Sequence, residues 1–127
     1  MITAAIDSLG YNPQIDGDGD IFVYYQMKSI YFMTGQEEEK YVAIILPQFA
    51  EVKDGEEALT LAVCNKMVRE IKLTKVYIDQ TLKNVSASCE FFYTDEECLK
   101  KSIDQSLNIL GVMRSTFQKT KAEFKKC

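Results

Sequence analysis

The stretch that decides the fold runs from Asp20 to Thr34, "DIFVYYQMKSIYFMT". β-Branched and aromatic residues crowd it, and "DIFVYYQM" and "SIYFMT" read as two strands joined by a turn at Lys28-Ser29. Successive side chains of a strand point to opposite faces of its sheet. Ile21, Val23, Tyr25 and Met27 therefore share one face, with Phe22 and Tyr24 on the other. In the second run Ile30 and Phe32 oppose Tyr31 and Met33. Both faces are apolar, which exceeds what an antiparallel sheet with one wetted face shows.

The pattern continues downstream. Gly35–Glu39 makes a charged hairpin connection, and "YVAIILP" is a third strand closed by Pro47, with Tyr41, Ala43 and Ile45 opposing Val42, Ile44 and Leu46. Links this short give an antiparallel meander. "DGEEALTLAVCNKMVREIKL" then reads as a helix with Asp54 and Glu57 in a capping-box arrangement and an apolar side of Ala58, Leu59, Ala62, Val63 and Ile71. "KVYIDQ" and "NVSASCEFFYT" form a second hairpin, in which Val85, Ala87, Cys89, Phe91 and Tyr93 alternate with Ser86, Ser88 and Glu90. From Thr94 the chain reads as one long helix, again with a capping box at Thr94 and Glu97. Its seam of Leu99, Ile103, Ser106, Leu110, Met113, Phe117, Thr120 and Phe124, widened by Leu107, recurs at spacings of four and three. Ser and Thr within that seam favour a helix laid on a sheet over a coiled coil.

Upstream, residues 2–9 form a short helix with Ile2, Ile6 and Leu9 on one side and Gly10 as its stop. Pro13 keeps "YNPQI" extended. The order is α-β-β-β-α-β-β-α, an α+β fold with an antiparallel sheet and a long C-terminal helix packed on it. The 127 residues fit a single domain, 1–127.

"IDGDGDI", residues 15–21, places three aspartates on alternate positions, as a calcium loop does. Such a loop also needs Gly at its sixth position and Glu at its twelfth, where this chain has Ile21 and Met27. The stretch is a turn, with Gly17 and Gly19 supplying positive φ angles, and no metal site is expected.

Catalytic signals are absent. The sequence holds no histidine, which removes Ser-His-Asp and Cys-His chemistry and the common histidine metal sites. The carboxylate groups at Glu37–Glu39, Glu56–Glu57 and Asp95–Glu97 fall at a hairpin tip and at helix starts, where negative charge is solvated or favoured by the dipole. Cys64-Asn65 lies mid-helix without a base beside it. We expect no enzyme, no catalytic residues and no cofactor.

A net charge of −4 and a pI of about 4.9 disfavour contact with phosphate backbones. The basic end, 6 Lys/Arg against 2 Asp/Glu over residues 101–127, suits a helix C-terminus. No apolar run approaches a bilayer span and the N-terminus has no signal-peptide pattern, so neither nucleic acid nor membrane is an expected partner. The four cysteines, lacking zinc or redox spacing, fit reduced thiols in a cytoplasmic protein. Cys64 and Cys89 read as core residues and Cys127 as terminal and exposed.

The open question is the second sheet face. Either helices cover both faces, or part of the tyrosine-rich face meets another chain. In the second case Tyr24, Tyr31 and Met33 are the partner-binding candidates.

The order of elements and "LGYNPQIDGDGDIFVYYQMKSIYF", residues 9–32, resemble the small bacterial YbjN-like domains, which are similar in fold to the chaperones of type III secretion. Leu9-Gly10-Tyr11, the Asp/Gly turn, the aromatic hairpin and an alanine-rich middle helix containing Asn65 carry the resemblance, which spans most of the chain. It implies a small, acidic, dimeric protein that holds an extended client against apolar surface, or a regulatory role, and it brings no catalytic residues. The expected function is a non-enzymatic protein-binding module whose partner is a client or a second copy in a homodimer. The alternative is a small-molecule-binding or enzymatic domain, which a deep pocket with convergent polar groups would favour.

Overall fold

The computed structural model describes residues 1–35 and 39–126. The middle of the Gly35–Glu39 connection, most of the Glu37–Glu39 cluster and Cys127 lie outside the described residues. The chain runs α1 (Ile2–Ser8), β1 (Gln14–Ile15), β2 (Ile21–Tyr25), β3 (Lys28–Thr34), β4 (Tyr41–Glu51), α2 (Glu57–Glu70), β5 (Thr74–Ile78), β6 (Asn84–Phe92), α3 (Glu96–Gly111) and α4 (Met113–Lys125). The expected α+β order holds, with a two-residue strand added before the first hairpin and the last helix broken once. All pairings are antiparallel, in the strand order β1-β2-β3-β4-β6-β5.

Register fixes the faces. Val23 pairs with Ile30, Phe32 with Ile44, Ile44 with Cys89 and Cys89 with Thr74. These residues are all buried, and the core continues from them into the inward sides of the helices. The helices pack on this one side: α2 against β5, α3 against β6 and β4, α4 against β4, and α1 against α3.

The seam read from the last helix is observed except at its end, where Phe124 is only partly buried. Leu99, Ile103, Ser106, Leu107, Leu110, Met113, Phe117 and Thr120 are buried. Burying each large aliphatic contributes about 1.5–3 kcal/mol, which outweighs the cost of about 1 kcal/mol for Gly111 within a helix. The break follows Gly111, at Val112 (φ −104°, ψ 7°). A Cβ at position 111 would lie 2.9 Å from Tyr25 Cε2 and 2.9 Å from Gln26 Oε1, so the helix approaches the first hairpin there closely enough to exclude a side chain.

Several local expectations are corrected. The first hairpin turns at Gln26 and Met27, both with positive φ (50° and 67°), so Lys28 and Ser29 belong to β3 and Met27 is fully exposed instead of lying on a strand face. Two left-handed residues match the twist of a tight hairpin, which overrides the weak turn signal of Lys-Ser. Pro47 does not close the third strand. β4 runs on to Glu51 through a register shift between Leu46 and Ala50, with Gln48 at φ 49°. A bulge spares proline a ladder bond it cannot make.

In the aspartate turn only Gly19 has a positive φ, +85°; Gly17 has none. The second helix starts at Glu57, and Glu56 takes its N-cap position with no side-chain cap. Its buried side is Thr60, Val63, Cys64 and Met67, while Ala58 is exposed. In α3 the cap is Asp95, one residue past Thr94, whose carboxylate accepts the Cys98 N–H at 2.8 Å.

Candidate functional site

The second face of the sheet carries Phe22 and Tyr24 from β2, Tyr31 and Met33 from β3, Tyr41, Ala43 and Ile45 from β4, Glu90 and Phe92 from β6, and Lys75 and Tyr77 from β5. The helices pack on the other face. Tyr24 is 68% exposed, Phe92 71% and Met33 37%, and Tyr31 is half-buried.

Two neighbourhoods organise this face. Around the first hairpin, Phe22 stacks edge-on against Tyr24 at 5.3 Å and tilted against Tyr31 at 5.4 Å. The hairpin thus presents a preassembled aromatic ridge whose rings lose little freedom on meeting a partner. Of the candidates, Tyr24 and Tyr31 are brought together here through Phe22, and Met33 lies on the same face of β3.

Mid-sheet, Glu90 is a polar node. It accepts the Tyr41 hydroxyl and, at 3.1 Å, the Ser88 hydroxyl, and it pairs with Lys75 at 2.6 Å. The Lys75 ammonium, then the Tyr41 hydroxyl, hold the Glu90 carboxyl below its usual range. The same carboxylate pushes the Tyr41 phenol up to about 12, chiefly by accepting its hydrogen bond. A carboxylate this thoroughly supplied with donors stays ionised, so it is not poised for proton transfer near neutrality. A depression of about 350 Å³ beside it is lined by Ala43, Ile45, Lys75, Tyr77, Ser88 and Glu90.

Sequence reasoning missed this node and the exposed Phe92. The signal was Glu90, a single charge among the second-face residues of an otherwise uncharged strand; the cross-strand register that brings Tyr41 and Lys75 to it was not readable.

Elsewhere, Asp16, Asp18 and Asp20 bring carboxylate oxygens within 4.8 Å of one another. The Asp16 carboxylate accepts the backbone N–H of Asp18 and of Asp20, both at 2.9 Å, which is the work of a turn residue. Cys64 and Cys89 are buried free thiols; burial pushes Cys64 up to about 11. Among the described residues no helix is long and apolar enough to cross a membrane.

The structure described as "YbjN, a putative transcription regulator from E. coli" superposes with a TM-score of 0.71, at 11% identity, over 96% of this chain and 90% of that one. The fold is YbjN-like. At that identity the likeness speaks for the fold alone. No family model matches the sequence, and no curated protein matches it.

Proposed function

We propose that the chain is a non-enzymatic protein-binding module of the bacterial cytoplasm, regulatory or chaperone-like, that holds a partner protein or a second copy of itself against the open sheet face. One observation carries the reading: the helices pack on one face of an apolar sheet, leaving Tyr24, Met33 and Phe92 exposed and Tyr31 half-buried on the other. An aromatic surface of this kind, ringed by polar groups, is the composition of a protein interface. The resemblance of residues 9–32 and of the element order to YbjN-like domains implies an extended client by way of their similarity in fold to secretion chaperones, and the description of YbjN as "a putative transcription regulator" supports a regulatory module. Lack of histidine and the saturated Glu90 carboxylate support a non-enzymatic role.

The test is multi-angle light scattering across protein concentration, together with capture from a bacterial lysate on the wild type and on a Tyr24→Ser/Tyr31→Ser variant. Dimer or captured partner present with the wild type and lost with the variant is the expected result. A strict monomer that retains no partner, or one that captures the same proteins in both forms, overturns the proposal.

A further inference from the structure

We propose that the hollow between the β4 bulge and α4 is a binding site for a small sugar phosphate. This goes beyond the open-face reading and does not depend on it. The hollow measures about 500 Å³, within the range of small-molecule sites. β4 pairs with β6 up to Leu46 and again from Ala50, with Gln48 at φ 49° between, and an insertion of this kind bends a strand. α4 packs on β4 across that bend, so side chains of both elements line the space.

Charge sets the first requirement. Lys53, just past β4, lines the hollow together with Arg114 and Lys121, which stand two turns apart on α4. In a chain of net charge −4, this is a local reversal of sign that draws anions. Lys121 is 7% exposed, and its partner Glu56 also carries Lys125, so one carboxylate serves two ammoniums and the corner keeps a positive excess. Burying an ammonium in positive surroundings costs stability, and an anion in the hollow offsets that cost. Among the described residues Lys53 and Arg114 have no ion-pair partner. An arginine fork beside ammonium groups matches the oxygens of a phosphate.

The remaining walls choose what carries the phosphate. The Asn84 and Gln118 amides and the Glu51 carboxylate line the same hollow, and among the described residues these side chains have no hydrogen-bond partner. Amides that donate and accept, beside a carboxylate that accepts, suit the hydroxyls of a sugar. Phe49 and Phe117 also line it, but they pack edge-to-face on each other at 5.9 Å and are only 9% and 1% exposed. No ring face is left on which a base could stack, so a nucleotide gains nothing from its base here. A phosphate with hydroxyls and without a base is a sugar phosphate.

Isothermal titration calorimetry on the full chain tests this with ribose 5-phosphate, glucose 6-phosphate, ribose, inorganic phosphate and AMP. Saturable binding of at least one sugar phosphate is expected, at least about tenfold tighter than inorganic phosphate, with none for ribose. AMP should bind no better than ribose 5-phosphate. Arg114→Gln and Lys53→Gln alter exposed side chains, so the thermal midpoint without ligand should not move. Each should weaken binding about tenfold, the loss of one charge-assisted hydrogen bond. The Tyr24→Ser/Tyr31→Ser variant should bind as the wild type does, which keeps this site distinct from the open face. Absence of saturable binding for both sugar phosphates, or inorganic phosphate bound as tightly as either, overturns the proposal. So does AMP bound more tightly than ribose 5-phosphate, or wild-type affinity in both charge variants.

Discussion

Lys121 Nζ stands 2.7 Å from Glu56 Oε1, joining the last helix to the N-cap position of α2. Lys125 reaches the other oxygen of the same carboxylate at 3.0 Å. Lys121 is only 7% exposed, so the YbjN-like core closes at this corner on an ion pair and not on another aliphatic. Hydrogen bonds from Lys121, then from Lys125, hold the Glu56 carboxyl down from 4.5 to about 2. A depressed carboxyl contributes stability that is present above its unfolded pKa and lost as pH falls through its folded one. The thermal midpoint of the wild type should therefore exceed that of Glu56→Gln above pH 4.5 and converge on it as pH approaches about 2. Parallel calorimetric scans check this; a constant gap across that range would show that the pair does not titrate with folding.

The Tyr41 hydroxyl donates to Glu90, and that bond together with partial burial raises its phenol to about 12. Tyr11 reaches about 12 by another route, burial first and then its hydrogen bond to Asp104 at 2.9 Å. Of the seven tyrosines, these two should ionise last in an absorbance titration at alkaline pH. Tyr41→Phe should remove one late proton and leave the Tyr11 step in place. Because a raised phenol stabilises the fold below its unfolded pKa of 10 and loses that contribution through 12, alkaline unfolding of Tyr41→Phe should depend less on pH over this range.

Much of this was legible in the chain. Leu99 to Thr120 announce their burial because a helix on a sheet needs a stripe at alternating spacings of four and three, and Val85, Ala87 and Cys89 announce theirs by strict alternation. What escaped depends on neighbours distant in sequence. Met27 and Gln48 occupy left-handed backbone that Gly or Asn normally marks, so nothing local flags the turn or the bulge. The Thr94 and Asp54 caps were displaced because several carboxylates and hydroxyls stood within two residues of each helix start, and tertiary contacts, such as Lys121 on Glu56, choose among them. The two-faced apolarity of β2 and β3 was visible from composition, whereas the side taken by the helices was not.

Gly111 is fixed by the first hairpin. An added methyl would meet Tyr25 Cε2 at 2.9 Å, and that ring is held by its hydroxyl on Asn108 Oδ1 at 2.9 Å and by an edge contact with Tyr11 at 5.8 Å. Gly111→Ala gains about 1 kcal/mol of helix propensity and loses about 1–3 kcal/mol to overpacking. The net expectation is destabilisation, read as a lower urea midpoint with an unchanged slope. The double variant Gly111→Ala/Tyr25→Ala removes the ring contact and leaves the contact with Gln26 Oε1, the far end of a flexible side chain that can swing away, so the glycine substitution should be stabilising in that background.

Tyr24 and Tyr31 separate recognition from folding. Tyr24 is 68% exposed and meets Phe22 only edge-on, so Tyr24→Ser should leave the thermal transition nearly unchanged. Tyr31, half-buried against Phe22, should cost about 1 kcal/mol, the worth of an aromatic pair on a sheet surface. If the ridge is an interface, association should fall far more than stability, because central aromatics carry a disproportionate share of binding energy, about 2 kcal/mol or more each. Titration of partner or self-association by sedimentation, beside calorimetry on the same samples, distinguishes the two. Loss of stability matching or exceeding loss of association would make these rings part of the fold's own support, and the ridge would cease to be a binding surface.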